Sequence, residues 1–145
     1  MAGKWHKVKV GDIVASHRNA LVGGPFGSNL VSNDYIDDGI PVIRGQNMDM
    51  GRWVAGDFAF VSIEKAAELS ANIARLRDLV FTQRGTLGQI AIVPDIGHST
   101  YVISQSQMKL TPDEEKADYR FLYYLFSSEQ QQNYIKGCVA LTGLG

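Results

Sequence analysis

The apolar residues fall in short runs separated by glycines, a rhythm of brief strands and turns rather than long helices. Leu79-Val80-Phe81-Thr82-Gln83 and Gln89-Ile90-Ala91-Ile92-Val93 flank Gly85-Thr86-Leu87-Gly88 and predict a hairpin. Pro41-Val42-Ile43-Arg44 predicts a strand ended by Gly45. Tyr101 to Leu110 predicts one continuous strand, with Val102, Ser104, Ser106, Met108 and Leu110 on one face. Tyr101, Ile103, Gln105, Gln107 and Lys109 then share the other face. Helical spacing is rarer. Ser62 caps a helix to about Leu69, with Glu64 favoured in its first turn. Phe121, Leu122, Leu125 and Phe126 mark a second helix behind Asp118. Ser128-x-x-Gln131 is a capping box opening a third, which Gly137 is placed to stop. Mixed elements without a βαβ rhythm predict the α+β class: one domain with a twisted, mostly antiparallel or mixed sheet and a few helices.

A chain of 145 residues suits one domain and buries enough surface to fold without a metal or disulfide staple. Glycine, at 15 residues, exceeds the usual share of about 7% and collects at the predicted turns, among them Gly23-Gly24, Gly39, Gly51 and Gly56. No apolar run is long enough to span a membrane, and the first residues lack a signal-peptide core, so a cytoplasmic protein is the simplest reading. The single cysteine, Cys138, excludes a disulfide framework and reads as a buried or incidental thiol. Net charge is −1 and the pI is near 6.3, well below the value above about 9 expected of a free-standing nucleic-acid binder. The last residues, Ala140 to Gly145, supply no finishing element, so the chain reads as cut short.

Phosphate-loop, dinucleotide and His-based zinc motifs are absent, and His6, His17 and His98 stand alone. So are a methyltransferase catalytic tetrapeptide and an S-adenosylmethionine loop. Pro94-Asp95 followed by Glu114-Glu115-Lys116 has the spacing of a Mg²⁺-dependent PD-ExK nuclease, with Asp95 and Glu114 as metal ligands and Lys116 beside the attacking water. That chemistry needs a rigid, largely buried strand. The polar stretch Thr111-Pro112-Asp113-Glu114 reads instead as a capping box with proline at the first helical position.

Four polar segments, three of them bearing glycine, are candidates for reading a ligand. Gly23 to Tyr35 offers Ser28, Asn29, Ser32 and Asn33 on a tight loop with Phe26 as its anchor; a plain Ω-type loop is the alternative. Ile43 to Met48 carries Arg44, Gln46 and Asn47, side chains able to grip guanine or adenine edges at two points. Thr82 to Gln89 puts Arg84 at a hairpin tip where it could meet phosphate, with Gly85 permitting close approach; a turn with a solvated arginine is the alternative. Along Tyr101 to Leu110, Gln105, Gln107 and Lys109 form a polar stripe, or simply a solvent-facing strand side. The helix Arg120 to Ser128 reads as core, with Tyr123 or Tyr124 at its edge. Residues alone leave open a DNA reader, the nuclease, a noncatalytic β-rich module for carbohydrate or protein, and a remnant that binds nothing.

In order, W-x-x-V-x-V-G-D-I (Trp5 to Ile13), GPFGSNLVSNDY (Gly24 to Tyr35), GIPVIRGQNM (Gly39 to Met48), LVFTQRGTLGQIAIVP (Leu79 to Pro94), YVISQSQMKLTPD (Tyr101 to Asp113) and RFLYYLFSSEQQQ (Arg120 to Gln132) cover nearly the whole chain. This ordered set resembles a target recognition domain of the specificity (S) subunit of type I restriction–modification systems.

The resemblance implies a noncatalytic α+β domain that binds double-stranded DNA. Residues 1–137 would form the recognition domain and 138–145 the start of a truncated linker to an absent spacer helix. Methyltransferase subunits and, through them, restriction subunits would be its partners. S-adenosylmethionine, ATP and Mg²⁺ would belong to those partners, and this chain would hold no cofactor. DNA contacts are expected from Arg44, Gln46, Asn47, Gln83, Arg84, Thr86, Gln105 and Gln107. Gly24, Phe26, Gly27, Ser28 and Asn29 would supply loop support or backbone contact. A family member carries two such domains, and this chain has one. Partner subunits that carry much of the phosphate clamp would reconcile base reading with the low charge.

Overall fold

The structure, a computed structural model, describes residues 9–49, 51–95 and 97–142, with side chains through residue 135. Trp5 to Val8, His6 and Gly143 to Gly145 therefore lie outside the described residues, as does the side chain of Cys138. In chain order the elements are α1 (Val10–Ile13), β1 (Leu21–Gly23), β2 (Tyr35–Ile36), β3 (Ile40–Ile43), β4 (Ala59–Val61), α2 (Ile63–Glu68), β5 (Ile73–Ala74), β6 (Leu79–Thr82), β7 (Ile90–Ile92), β8 (Tyr101–Ile103), β9 (Gln107–Leu110), α3 (Tyr119–Ser127) and α4 (Glu129–Thr142). The α+β class holds, but the strands divide between two sheets. One has the order β1-β9-β6-β7 and the other β2-β4-β3-β8-β5. All pairings are antiparallel except β3 with β8.

Side-chain alternation builds the layers. Val42 and Val102 lie opposite each other, as do Ile43 and Ile103. The two valines face a core closed by Leu30 from the loop after β1 and by Ala66 and Leu69 from α2 and its C-terminal flank. The two isoleucines face the other way, into a core shared with Val80 of β6 and Ala91 of β7. That second core therefore lies between the sheets. Leu79, Ile92 and Leu110 turn to the remaining side, where Leu122 of α3 and the partly buried Phe126 cover them. Period-two alternation in each strand thus feeds two different cores. Pro41 fits β3 because pairing with β8 begins only at Val42; at Pro41 the strand has a neighbour on one side alone.

Local signals placed the starts of α2, α3 and α4 and the hairpin correctly. Ser62 Oγ accepts from Lys65 N at 3.0 Å, Asp118 Oδ1 from Arg120 N at 2.7 Å, and Ser128 Oγ from Gln131 N at 3.4 Å. The hairpin turns at Gly85 and Gly88, whose φ values of 94° and 93° suit glycine.

Three local expectations are corrected. The strand from Tyr101 to Leu110 breaks at Ser104-Gln105-Ser106, where Gln107 N returns to Ser104 O at 3.1 Å. The chain leaves one sheet there and enters the other. These three residues bring no β-branched side chain to a core, and serine favours turns. Thr111 to Glu114 begins no helix. Thr111 N bonds Ala20 O at 2.7 Å and Pro112 bridges to Val14, which extends the sheet instead. Gly137 does not stop α4, which runs to Thr142. A glycine ends a helix when it turns left-handed; inside one it costs only about 1 kcal/mol.

Lys109 lies inside, not on a solvent face. Its Nζ is 3.7 Å from Asp78 Oδ2, and both side chains are about 5% exposed. Thr111 Oγ1 bonds both groups, at 2.9 and 2.7 Å. Burial holds the Asp78 carboxyl above its usual range and the Lys109 ammonium below its own, each against the pull of the other. A buried ion pair of this kind adds little net stability, while removing one partner leaves the other group buried without its counter-charge. Lys109→Met should cost about 3–5 kcal/mol in chemical denaturation, because it strands Asp78. Asp78→Leu combined with Lys109→Met should recover most of that loss; an additive loss would contradict this reading.

Candidate nucleic-acid interface

The break between β8 and β9 is also where the candidate segments meet. Gln105 Nε2 donates to Gly27 O at 2.7 Å and Leu30 O at 2.6 Å, closing the loop that follows β1. Gly24 N donates to Gln107 O at 2.8 Å. Gln83 N and Arg84 N both donate to Ser106 O, at 2.7 and 3.2 Å, and Gln83 Nε2 donates to Gln105 O at 3.1 Å. Ser104 N reaches back to Ile43 O at 3.0 Å, beside Arg44. All four polar segments thus adjoin one turn.

Between the loop and the turn lies an open cleft of about 560 Å³, walled by Gly27, Leu30, Tyr35, Arg44, Ser104 and Gln105 among others. The Arg44 guanidinium carbon stands 5.9 Å from the centre of the Tyr35 ring, within cation–π range. Arg44 Nε is buried and finds no hydrogen-bond partner among the described residues. Burial raises the Tyr35 hydroxyl above its usual pKa and nearby Asp34 adds to this, while Arg44 opposes both. The phenol therefore stays protonated at neutral pH and able to donate. An arginine beside a phenolic donor in the wall of an open cleft suits an acceptor-rich ligand edge.

The expected contact residues sort into two groups. Phe26, Gly27, Ser28, Asn29, Gln46, Gln83, Arg84 and Thr86 are exposed, and Arg44 is half-buried in the cleft. Asn47 and Gln107 are fully buried, which corrects their placement on a reading surface. Asn47 Nδ2 bonds Ala55 O at 3.0 Å and Asp57 O at 2.9 Å, and its Oδ1 receives Arg44 N at 2.9 Å. It holds the loop after β3 in shape. Gln107 bonds Ser104 Oγ and, at 3.3 Å, Thr82 Oγ1. The polar stripe of Gln105, Gln107 and Lys109 does not exist, because the strand that would carry it is broken. Both amide hydrogens of Gln105 are committed to the loop. Nor does Phe26 anchor that loop: it is 82% exposed, while Pro25 and Leu30 are buried.

Tyr35 and the turn serines were not singled out as contact residues, although they line the cleft. Only the pairing of distant segments brings them there. α3 packs as expected, with Phe126 edge-on to Phe81 at 5.1 Å and Tyr124 at the rim, bonded by Arg52 at 2.8 Å.

The nuclease spacing does not assemble a site. Glu114 pairs with Arg77 at 3.0 Å, Lys116 with Asp113 at 4.0 Å, and Asp95 is exposed. Among the described residues, no three His, Cys, Asp or Glu side chains gather as metal ligands would.

Gly24 is fixed by sterics: a Cβ there would lie 1.9 Å from Ser104 O. Gly27, with nothing within 4 Å of such an atom, is free of that constraint. Gly24→Ala should therefore lose about 3 kcal/mol or more in thermal or chemical unfolding, whereas Gly27→Ala should leave the melting temperature almost unchanged. Equal effects would contradict the contact.

Comparison with known proteins gives a consistent picture. The family model described as type I restriction modification DNA specificity domain matches residues 3–143. No curated protein matches the chain. Among solved structures, the crystal structure of the HsdS subunit from Thermoanaerobacter tengcongensis aligns with a TM-score of 0.56 at 16% identity, over 86% of this chain and 30% of that one. A chain from a structure describing complex assembly and conformational transition of the type I R-M system aligns with a TM-score of 0.57 at 19% identity, over 83% of this chain and 26% of that one. This chain thus spans under a third of either solved chain, and at these identities the likeness establishes the fold. With the family model matching nearly end to end, the chain belongs to the type I restriction modification DNA specificity domain family.

Proposed function

We propose that this chain reads a short DNA sequence through the surface around the Ser104-Gln105-Ser106 turn, with Arg44 as its principal base reader. The carrying observation is the half-buried Arg44 side chain in the wall of a cleft that other candidate segments enclose, its guanidinium set beside the Tyr35 ring. A guanidinium that keeps free donors can grip guanine O6 and N7 at two points. Gln46, one residue beyond Gly45 of the cleft wall, is exposed and suits an adenine edge. Arg84 and Thr86 on the exposed hairpin tip suit phosphate oxygens, as do the exposed Ser28 and Asn29. Gln83 is half-committed through its bond to Gln105 O.

Residues 1–137 act as the recognition domain on this reading, and α4 carries the chain on through residues 138–142 towards a spacer helix. Methyltransferase subunits dock through that spacer and bring restriction subunits with them. Adenine methylation and cleavage, with S-adenosylmethionine, ATP and Mg²⁺, take place on those subunits, and this chain contributes no catalysis. The work is cytoplasmic, where the DNA is. Among the described residues no helix is long and apolar enough to cross a membrane. With a net charge of −1, the domain alone binds weakly and loses affinity as salt rises.

Selection from randomised duplex DNA at low salt should enrich one short common sequence. Arg44→Ala should relax one position of it, by about 1–3 kcal/mol. Arg84→Ala should weaken all sequences alike and lower the salt slope by about 1. Uniform weakening from Arg44→Ala would make it a phosphate contact, and no enrichment at all would remove the DNA reading.

A further inference from the structure

Phe26 has no role in the packing, and its setting is unusual. It is the most exposed large hydrophobic side chain among the described residues, at 82%. A lone exposed phenylalanine on a loose loop would mean little. This one sits on a loop fixed on both sides. Gly24 is pressed against the Ser104 carbonyl, and its N–H donates to Gln107 O at 2.8 Å. Beyond Phe26, its own carbonyl accepts from Asn29 N at 2.8 Å, and Gln105 ties down the carbonyls of Gly27 and Leu30. Its neighbours Pro25 and Leu30 are buried, so the loop has a well-filled underside and one aromatic ring pointing to solvent. Gly27, the next residue, is part of the wall of the Arg44 cleft.

Burying an aromatic ring is favourable, yet the loop is held so that the ring stays out. A partner that takes up a flat apolar ring beside a guanidinium and polar loops fits this arrangement. In duplex DNA that partner is a base step, opened by a wedge. Apolar side chains inserted between bases unstack the step and kink the helix, and they need a rigid mount, since a mobile one would bend away instead. We propose that Phe26 is such a wedge: on binding, its ring enters a stacked base step next to the bases read from the cleft. This rests on the DNA-reading function proposed above. It makes Phe26 a positioning residue that selects for easily unstacked steps, such as TA or CA, without a hydrogen bond to any base.

The test uses the duplex enriched by the selection described above, resynthesised with the fluorescent adenine analogue 2-aminopurine at successive positions. Wild-type protein should raise the fluorescence several-fold at one step, as the analogue unstacks. Phe26→Ala should abolish that rise and weaken binding by about ten-fold, as loss of one aromatic–base stack does, with the salt slope unchanged. Phe26→Leu, still an apolar wedge, should keep part of the signal. The ring is exposed, so the melting temperature of both variants should match wild type. Failure to enrich any duplex overturns the DNA reading and the wedge together. Enrichment with duplex-level fluorescence at every position, or a rise that survives in Phe26→Ala, overturns the wedge alone.

Discussion

The chain changes sheets at Ser104-Gln105-Ser106, and the rest of the site depends on how that turn is bonded. β8 ends in a parallel pairing with β3, and β9 begins in an antiparallel one with β1 and β6. A crossing of this kind leaves main-chain groups without ladder partners in a crowded place. Loops from elsewhere supply them: the N–H groups of Gln83 and Arg84 take up Ser106 O, and Gly24 N takes up Gln107 O. The Gln105 side chain in turn satisfies two carbonyls of the loop after β1. Satisfying the crossing and shaping the surface are thus one set of hydrogen bonds.

That double use separates the polar residues into frame and surface. Asn47, Gln105 and Gln107 have their amide groups committed to backbone or to hydroxyls, and the first and last are fully buried. A side-chain amide, with donors and an acceptor together, is suited to tie loops to each other inside a fold. Phe26, Gln46, Arg84 and Thr86 project from that frame and touch little of it. A frame that holds its shape while its projecting residues vary freely is what a sequence-reading domain requires. Solved chains at 16% and 19% identity share this fold.

Much of this was legible in the sequence wherever the signal was local. Serine and aspartate caps, the glycine hairpin and the short strand at Pro41-Val42-Ile43 each depend on residues a few positions apart, and each is realised. The four candidate segments stood out as well, being polar stretches, three of them with glycine, among apolar strands. What could not be read was the break in the strand from Tyr101 to Leu110. Its alternation of polar and apolar residues is also that of two short strands in different sheets, and only pairing with β3 and β1 decides between them. From that followed the misplacement of Gln107 and Lys109. Asn47 and Phe26 exchanged roles for a similar reason: residue type suggests burial for the ring and exposure for the amide, and tertiary hydrogen bonds reversed both.

Amide hydrogen exchange, compared in the free chain and the chain bound to its selected duplex, tests the central claim most directly. Slowed exchange should appear in the loop from Gly24 to Asn29, at Gly45 and Gln46 and at the hairpin tip from Gln83 to Thr86. α2 and α3 should exchange as before. Protection centred on α3, or spread evenly over the molecule with no difference at the turn, would contradict a reading surface built on Ser104-Gln105-Ser106.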